Sequence, residues 1–356
     1  MLSVGVIGYG YWGPNVVRNF HAIDGFRVHT VCDKSEECLH KAQKAYPTIK
    51  TTADDAEVLA SPEIDVVAVI TPVWTHYELA KTALNNGKHV FVEKPFTSHS
   101  WQAEELIELA DNKSLKIMVD HTFLFTGAVR KIRELVDNGS LGDLYYYDSL
   151  RVNLGLLQHD INVIWDLAPH DLSIMDYIIQ DNPEAIVATG EKHLNGHEDV
   201  AFITLYFPRK IIAHVNVNWL SPVKVRTTLI GGEKKMLVWN DLDTDEKIKV
   251  YDKGVAITNR ENLHQLLVSY RSGDMWAPQV PQVEALKAEL SYFFECITQD
   301  STPLNDGPAG LRVVKMLEAA AQSISKRSEA VLLNGNGRPK QTGWHWHEQR
   351  ILEHCG

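Results

Sequence analysis

Along the first 120 residues, short β-branched runs alternate with stretches whose apolar positions fall three and four apart. LSVGVI, FRVHTVCD, IDVVAVI, KHVFVE and LKIMVD read as strands, and HYELAKTALNNGK and WQAEELIELADNK as helices between them. IDVVAVI is apolar almost throughout, the pattern of a strand buried on both faces of a parallel sheet. The alternation predicts a doubly wound α/β domain over residues 1–120.

From residue 121 the rhythm changes. A helical stretch, TGAVRKIRELVDNG, leads into LYYYDSLRVNL and then into a helix containing WDLAPHDL. AIVATGE, DVAFITLYF, KIIAHVNVNW, KVRTTLIG and KIKVYD follow, each alternating with period two, and predict a largely antiparallel sheet. Helices over about 281–299 and 308–325 precede a last short strand, EAVLL. Residues 121–333 therefore read as an α+β domain, and the Gly-, Pro-, Trp- and His-rich segment 334–356 as a tail.

Composition narrows the function classes. A hydrophobic fraction of 44% and a net charge of −11 fit a soluble globular chain and argue against a nucleic-acid partner, which would call for a basic face. Cys32, Cys38, Cys296 and Cys355 have neither disulfide-framework nor zinc-ligand spacing. There is no charged leader before the first apolar strand, and no apolar run nears the roughly 18 residues of a membrane helix. The expectation is a cytoplasmic protein with no membrane partner and no metal. His345, His347, Glu348 and His354 in the tail read as a free end or a subunit contact rather than as metal ligands.

The first strand runs into GYGYWG, which sets Gly8, Gly10 and Gly13 in a G-x-G-x-x-G pattern and opens a helix. In this Rossmann arrangement the first glycine makes a tight turn, the second lets backbone approach a pyrophosphate, and the third lets helix pack on strand. Asp33 follows Gly13 by 20 residues, the offset at which a carboxylate meets the adenosine ribose hydroxyls. That carboxylate would repel a 2′-phosphate, so NAD is expected over NADP, although Lys34 is adjacent. Tyr11 and Trp12 lie inside the loop and are expected at the cofactor with it.

KHVFVEKPF ends a strand with Glu93, Lys94 and Pro95, and TPVWTH ends the preceding one with Thr71, Pro72 and His76. Ligands of open α/β sheets bind outside those carboxyl ends, which puts both loops at the cofactor and Lys94 near its nicotinamide. In WDLAPHDL, Asp166 and His170 are one helical turn apart and share a face. Pro169 between them suggests the first turn of a helix, where its missing N–H costs nothing. Asp166 could equally serve as the cap of that helix.

Together, GYGYWG with Asp33, TPVWTH, EKP and D-x-x-x-H resemble the glucose-fructose oxidoreductase / inositol dehydrogenase family of sugar and cyclitol oxidoreductases, over about residues 2–333. The resemblance implies that Lys94, Asp166 and His170 are the catalytic group, and that the second domain's sheet pairs subunits into a homodimer or homotetramer. The sequence departs from the common pattern at Ala168 and in DHTFLF, which leaves Asp120 and His121 without an assigned role. WDLAPHD preceded by SLRVNLG is similar to the branch found with nucleotide-sugar and surface-polysaccharide pathways, with Arg151, Asn153, Asn162 and Trp165 as candidate substrate contacts. The expected chemistry is hydride exchange between NAD and a secondary hydroxyl or keto group of a nucleotide-linked sugar. Three alternatives are a free-sugar or inositol dehydrogenase, a glycosidase that uses NAD transiently, and a non-catalytic sensor of the same fold.

Overall fold

In a computed structural model that describes residues 1–154, 161–194, 196–257 and 268–333, the chain builds two sheets. Strands β1 (Leu2–Ile7), β2 (Phe26–Cys32), β3 (Lys50–Thr52), β4 (Val66–Val69), β5 (His89–Val92) and β6 (Ile117–Val119) run in the order β3-β2-β1-β4-β5-β6, all parallel. The order reverses between β1 and β4, so the crevice beyond their carboxyl ends is where such a sheet takes a ligand. Helices α1 (Gly13–His21) and α2 (Glu36–Ala45) pack on one face. On the other lie α3 (Asp55–Leu59), α4 (Val73–Asn85) and α5 (Ser100–Asn112). Val66 and Ala68 face one layer and Val67 and Val69 the other, which explains the unbroken apolar run.

Helix α6 (Gly127–Asp137) and strand β7 (Leu144–Leu154) open the second part, followed by α7 (Val163–Ile179). Strands β8 (Ala185–Glu191), β9 (Val200–Tyr206), β10 (Ile212–Asn218), β11 (Leu220–Gly232), β12 (Met236–Asn240), β13 (Ile248–Ile257) and β14 (Val268–Trp276) then come in sequence. After α8 (Ala285–Thr298) and α9 (Gly307–Ser325), the short β15 (Val331–Leu332) completes a nine-stranded sheet ordered β14-β13-β12-β11-β7-β10-β9-β8-β15. Only β7 and β10 pair in parallel. One face is buried under α6, α7 and α9 through Ala201, Ile203, Leu205, Ala213, Val215 and Val217. The alternate positions Phe202, Tyr206 and Ile212 stand 40%, 43% and 41% exposed on the opposite face.

The division at residue 121 is not clean. Helix α8 returns to the first sheet, packing Leu286, Leu290 and Phe293 with Phe20, Phe26 and Phe91. Asn305 then hydrogen-bonds β6 in both senses, Val119 N donating to its carbonyl at 2.9 Å and its Nδ2 to the Val119 carbonyl at 2.7 Å. A Cβ on Gly310 would come within 2.8 Å of Val119 and 3.0 Å of Phe96, so α9 lies close against the end of the first sheet. Trp165 packs against both cores. Among the described residues no helix is long and apolar enough to cross a membrane.

Candidate active site

The turn from β1 to α1 has the geometry the glycines predict. Gly8 sits at φ +103°, and a Cβ there would meet the Ile70 carbonyl oxygen at 2.1 Å. A Cβ on Gly13 would meet the Gly8 carbonyl at 2.4 Å, whereas one on Gly10 would meet nothing within 4 Å. The open side of the loop is thus where a diphosphate can approach backbone N–H groups. Asp33 closes the loop from β2, accepting Tyr9 N at 2.6 Å and Ser35 N at 2.8 Å. These residues fit a dinucleotide. Gly8, Gly10 and Gly13 would hold its diphosphate, and Asp33 its adenosine ribose. Tyr11, 90% exposed, stands at the mouth, while Trp12 turns inward and donates its Nε1–H to Asp120 Oδ2 at 2.8 Å.

Two residues expected at the cofactor carry buried side-chain atoms. His76 is fully buried, its ring nitrogens 3.0 Å from the Pro95 carbonyl and 2.7 Å from that of Thr71, so it ties the two strand-end loops together beneath the crevice. The run of apolar α4 positions carries it inward, a burial that spacing alone does not reveal. Glu93 Oε2 is buried, and its carboxyl is held well above the ordinary range by burial and by Asp120 beside it. Thr71 and Pro72 remain at the crevice, with Pro72 exposed.

Lys94 follows β5 and reaches across to α7. Its Nζ donates to the Asp166 carbonyl at 2.8 Å and stands 3.6 Å from the Asp166 carboxylate. The other carboxylate oxygen accepts the Nε1–H of Trp219, buried after β10, at 3.0 Å. Asp166 is therefore fixed from both domains and fixes Lys94 in turn. His170 lies one turn further along α7, with Phe123 edge-on to its ring at 5.0 Å. Burial lowers the His170 pKa well below the usual imidazole value, and the charges of Lys94, Arg151 and Arg226 lower it further. It is neutral at physiological pH, the form that accepts a proton.

Helix α7 itself corrects the expected start. It begins at Val163, capped by Asn162, whose Oδ1 accepts Trp165 N at 3.0 Å while its Nδ2 donates to Glu198 at 2.8 Å. Asp166 is not the cap, and Pro169 lies inside the helix. Its missing N–H interrupts the ladder at the Trp165 carbonyl, one residue before the carbonyl that Lys94 reaches. An interior proline is uncommon enough that the stretch read as a helix start. Asn162, expected at substrate, is spent on cap and Glu198.

Arg151, also expected at substrate, is 4% exposed and forms a two-pronged ion pair with Asp171. Its guanidinium lies 4.6 Å from the Phe123 ring centre. Arg226, which the sequence reading did not single out, is its cross-strand partner on β11 and stacks on the same ring at 5.7 Å. Alternation in KVRTTLIG sets Arg226 on the same face as the buried Thr228 and Ile230, but pairing with β7 is needed to see that it meets Arg151 there. Asn153, next to last in β7 and two residues beyond Arg151, is partly exposed, and Trp165 packs between the two cores. The tail residues His345, His347, Glu348 and His354 lie outside the described residues.

Comparison with known proteins places both parts of the chain in one family. Residues 2–121 match the family model described as an oxidoreductase family with an NAD-binding Rossmann fold, and residues 129–238 match the C-terminal domain model of the same family, Gfo/Idh/MocA. The chain is 24% identical over 342 residues to the UDP-N-acetylglucosamine 3-dehydrogenase of Acidithiobacillus ferrooxidans, covering 93% of this chain and 98% of that one. It is 21% identical over 348 residues to the myo-inositol 2-dehydrogenase of Thermotoga maritima, covering 93% and 98%. A shorter match, 26% over 231 residues, spans 60% of this chain and 61% of an uncharacterised oxidoreductase of Streptococcus pneumoniae. The solved structure of the Acidithiobacillus enzyme superposes with a TM-score of 0.78 at 22% identity, covering 91% of this chain and 98% of that chain. With the glycine loop, the EKP lysine and the D-x-x-x-H helix assembled around one crevice, the chain belongs to the Gfo/Idh/MocA family of NAD-binding oxidoreductases, which act on CH–OH groups.

Proposed function

We propose that the protein exchanges a hydride between NAD and a secondary hydroxyl, or the matching keto group, of a nucleotide-linked sugar, with Lys94, Asp166 and His170 as the catalytic group. The observation that carries the reading is that Lys94, at the carboxyl end of the parallel sheet, meets the D-x-x-x-H helix of the second domain at 2.8 Å. When bound, the nicotinamide accepts the hydride. His170, held neutral, takes the hydroxyl proton as the carbon is oxidised. Lys94 donates a hydrogen bond to the same oxygen and offsets the negative charge that develops there. Asp166, anchored by Trp219, holds Lys94 in place.

Arg151 and Arg226 stand at Phe123 beside His170, but each is paired with a carboxylate, Asp171 and Asp241, so charge does not separate a diphosphate from a neutral cyclitol here. The nucleotide-linked sugar is favoured by full-length similarity to a UDP-N-acetylglucosamine 3-dehydrogenase. The inositol dehydrogenases are the second reading, on equally full-length similarity. The test is NADH formation at 340 nm with NAD and UDP-sugars, dTDP-sugars, free hexoses and myo-inositol. Turnover that needs the nucleotide is expected; turnover with inositol or free hexose alone would transfer the assignment to the second reading.

The exposed face of the nine-stranded sheet, with Phe202, Tyr206 and Ile212, is the proposed subunit interface, since three large apolar side chains on one exposed face fit a partner better than water. Light scattering should give a mass at least twice the 40.1 kDa of one chain, and a monomer at micromolar concentration would refute this part.

A further inference from the structure

His121 has no role in the account so far. It is 2% exposed, and neither ring nitrogen has a hydrogen-bond partner among the described residues. A neutral imidazole carries one N–H donor and one acceptor nitrogen, and burying both unpaired is costly. By contrast His76, equally buried, has a carbonyl at each nitrogen.

The position of the ring says what it faces. Strands β5 and β6 run parallel with Val92 opposite Val119, and two residues beyond each stand Lys94 and His121. Both therefore leave the sheet at its carboxyl end, side by side. The segment then turns through Thr122–Phe125 and brings Phe123 against His170. One short segment thus places His121 by the lysine and Phe123 by the other histidine. The charged neighbours are already engaged. Lys94 bonds Asp166, Asp120 accepts from Trp12 and Thr122, and Arg312 grips Asp176. None of them needs the imidazole.

We propose that His121 is a substrate-contacting residue, pairing with a ring hydroxyl next to the carbinol that reacts. The inference rests on the sugar reading above. A hydroxyl both donates and accepts, so vicinal hydroxyls on a sugar or cyclitol ring satisfy an imidazole's two functions. Burial drives the His121 pKa down to about 4, so the ring stays neutral and keeps its acceptor nitrogen at working pH.

The test compares His121→Phe and His121→Asn with the wild type, using calorimetry of the NADH-loaded protein with UDP-N-acetylglucosamine and myo-inositol as probes, together with thermal unfolding. His121→Phe should weaken the bound probe about tenfold or more, the cost of one lost hydrogen bond that leaves its partner unpaired. It should leave the NADH Kd within about twofold and raise the Tm, because an unpaired polar ring has been replaced by an apolar one. His121→Asn, which keeps a donor and an acceptor, should retain much of the probe affinity. Unchanged probe affinity in His121→Phe overturns the proposal, and a lowered Tm alongside it would mark the ring as structural. Failure of the wild type to bind either probe overturns the sugar reading, and this inference with it.

Discussion

Trp219 connects sequence to chemistry at the scale of single residues. It is 1% exposed, and its one polar atom points at the Asp166 carboxylate. Phenylalanine there would keep most of the packing and remove the hydrogen bond. A hydrogen bond to a charged group contributes about 1.5–3 kcal/mol, so Trp219→Phe should lower kcat about tenfold or more by loosening Asp166 and with it Lys94. NAD affinity should not change, since Trp219 is remote from the glycine loop. Rates within twofold of wild type would show that Asp166 needs no anchor. Nothing in KIIAHVNVNW marks Trp219 as a positioning residue, because its role depends on where α7 passes over the sheet. Lys94, Asp166 and His170 were legible for the opposite reason. Their spacing, and the strand end that Lys94 occupies, are local in the chain. His76 shares such a context and is buried, and Glu93 keeps one carboxylate oxygen buried, because side-chain direction at a strand end is set by what packs behind it.

At the scale of elements, β7, β8 and most of α5, α6 and α9 follow from period and turn chemistry, whereas β3, β12 and β14 do not. The KTT of β3 is too short to show alternation, and β12 is a strand chiefly because β11 and β13 pair with it. Helix α7 is the instructive case. Its start is set by Asn162, three residues before the motif that drew attention, and the proline that suggested a first turn is carried in the interior. Asn162→Ala removes the cap and leaves Glu198, 3% exposed, without that partner. Loss of a side-chain cap alone costs about 0.5–2 kcal/mol, and the hydrogen bond lost by Glu198, which keeps its ion pair with Lys192, adds to it. The variant should unfold at lower denaturant concentration with an unchanged slope, and activity should fall with the fraying of the turn that carries Asp166. An unchanged midpoint would mean the helix start is held by packing alone.

At the scale of the whole molecule, the chain builds two sheets, and its late helices reach back across the expected boundary. The hydrophobic pattern of 285–298 correctly gives a helix but cannot say which sheet it covers, and it covers the first. Helices α8 and α9, with Asn305 bonded to β6, therefore clasp the Rossmann domain from behind while α7 faces it across the crevice. The crevice is consequently walled by both domains, and its central contact, Lys94 to Asp166, spans them. In the mechanism proposed here, a site divided in this way has Lys94 stabilise charge from one side and the neutral His170 accept a proton from the other. The direct test is the rate of NADH formation by Lys94→Ala and His170→Ala on whichever sugar the wild type oxidises, with NAD affinity measured on the same samples. Both variants should lose about 10²–10⁴-fold in kcat, the usual contribution of a placed acid or base, while binding NAD as the wild type does. Wild-type turnover in either variant would contradict the assignment of that residue, and in both it would contradict the catalytic account as a whole.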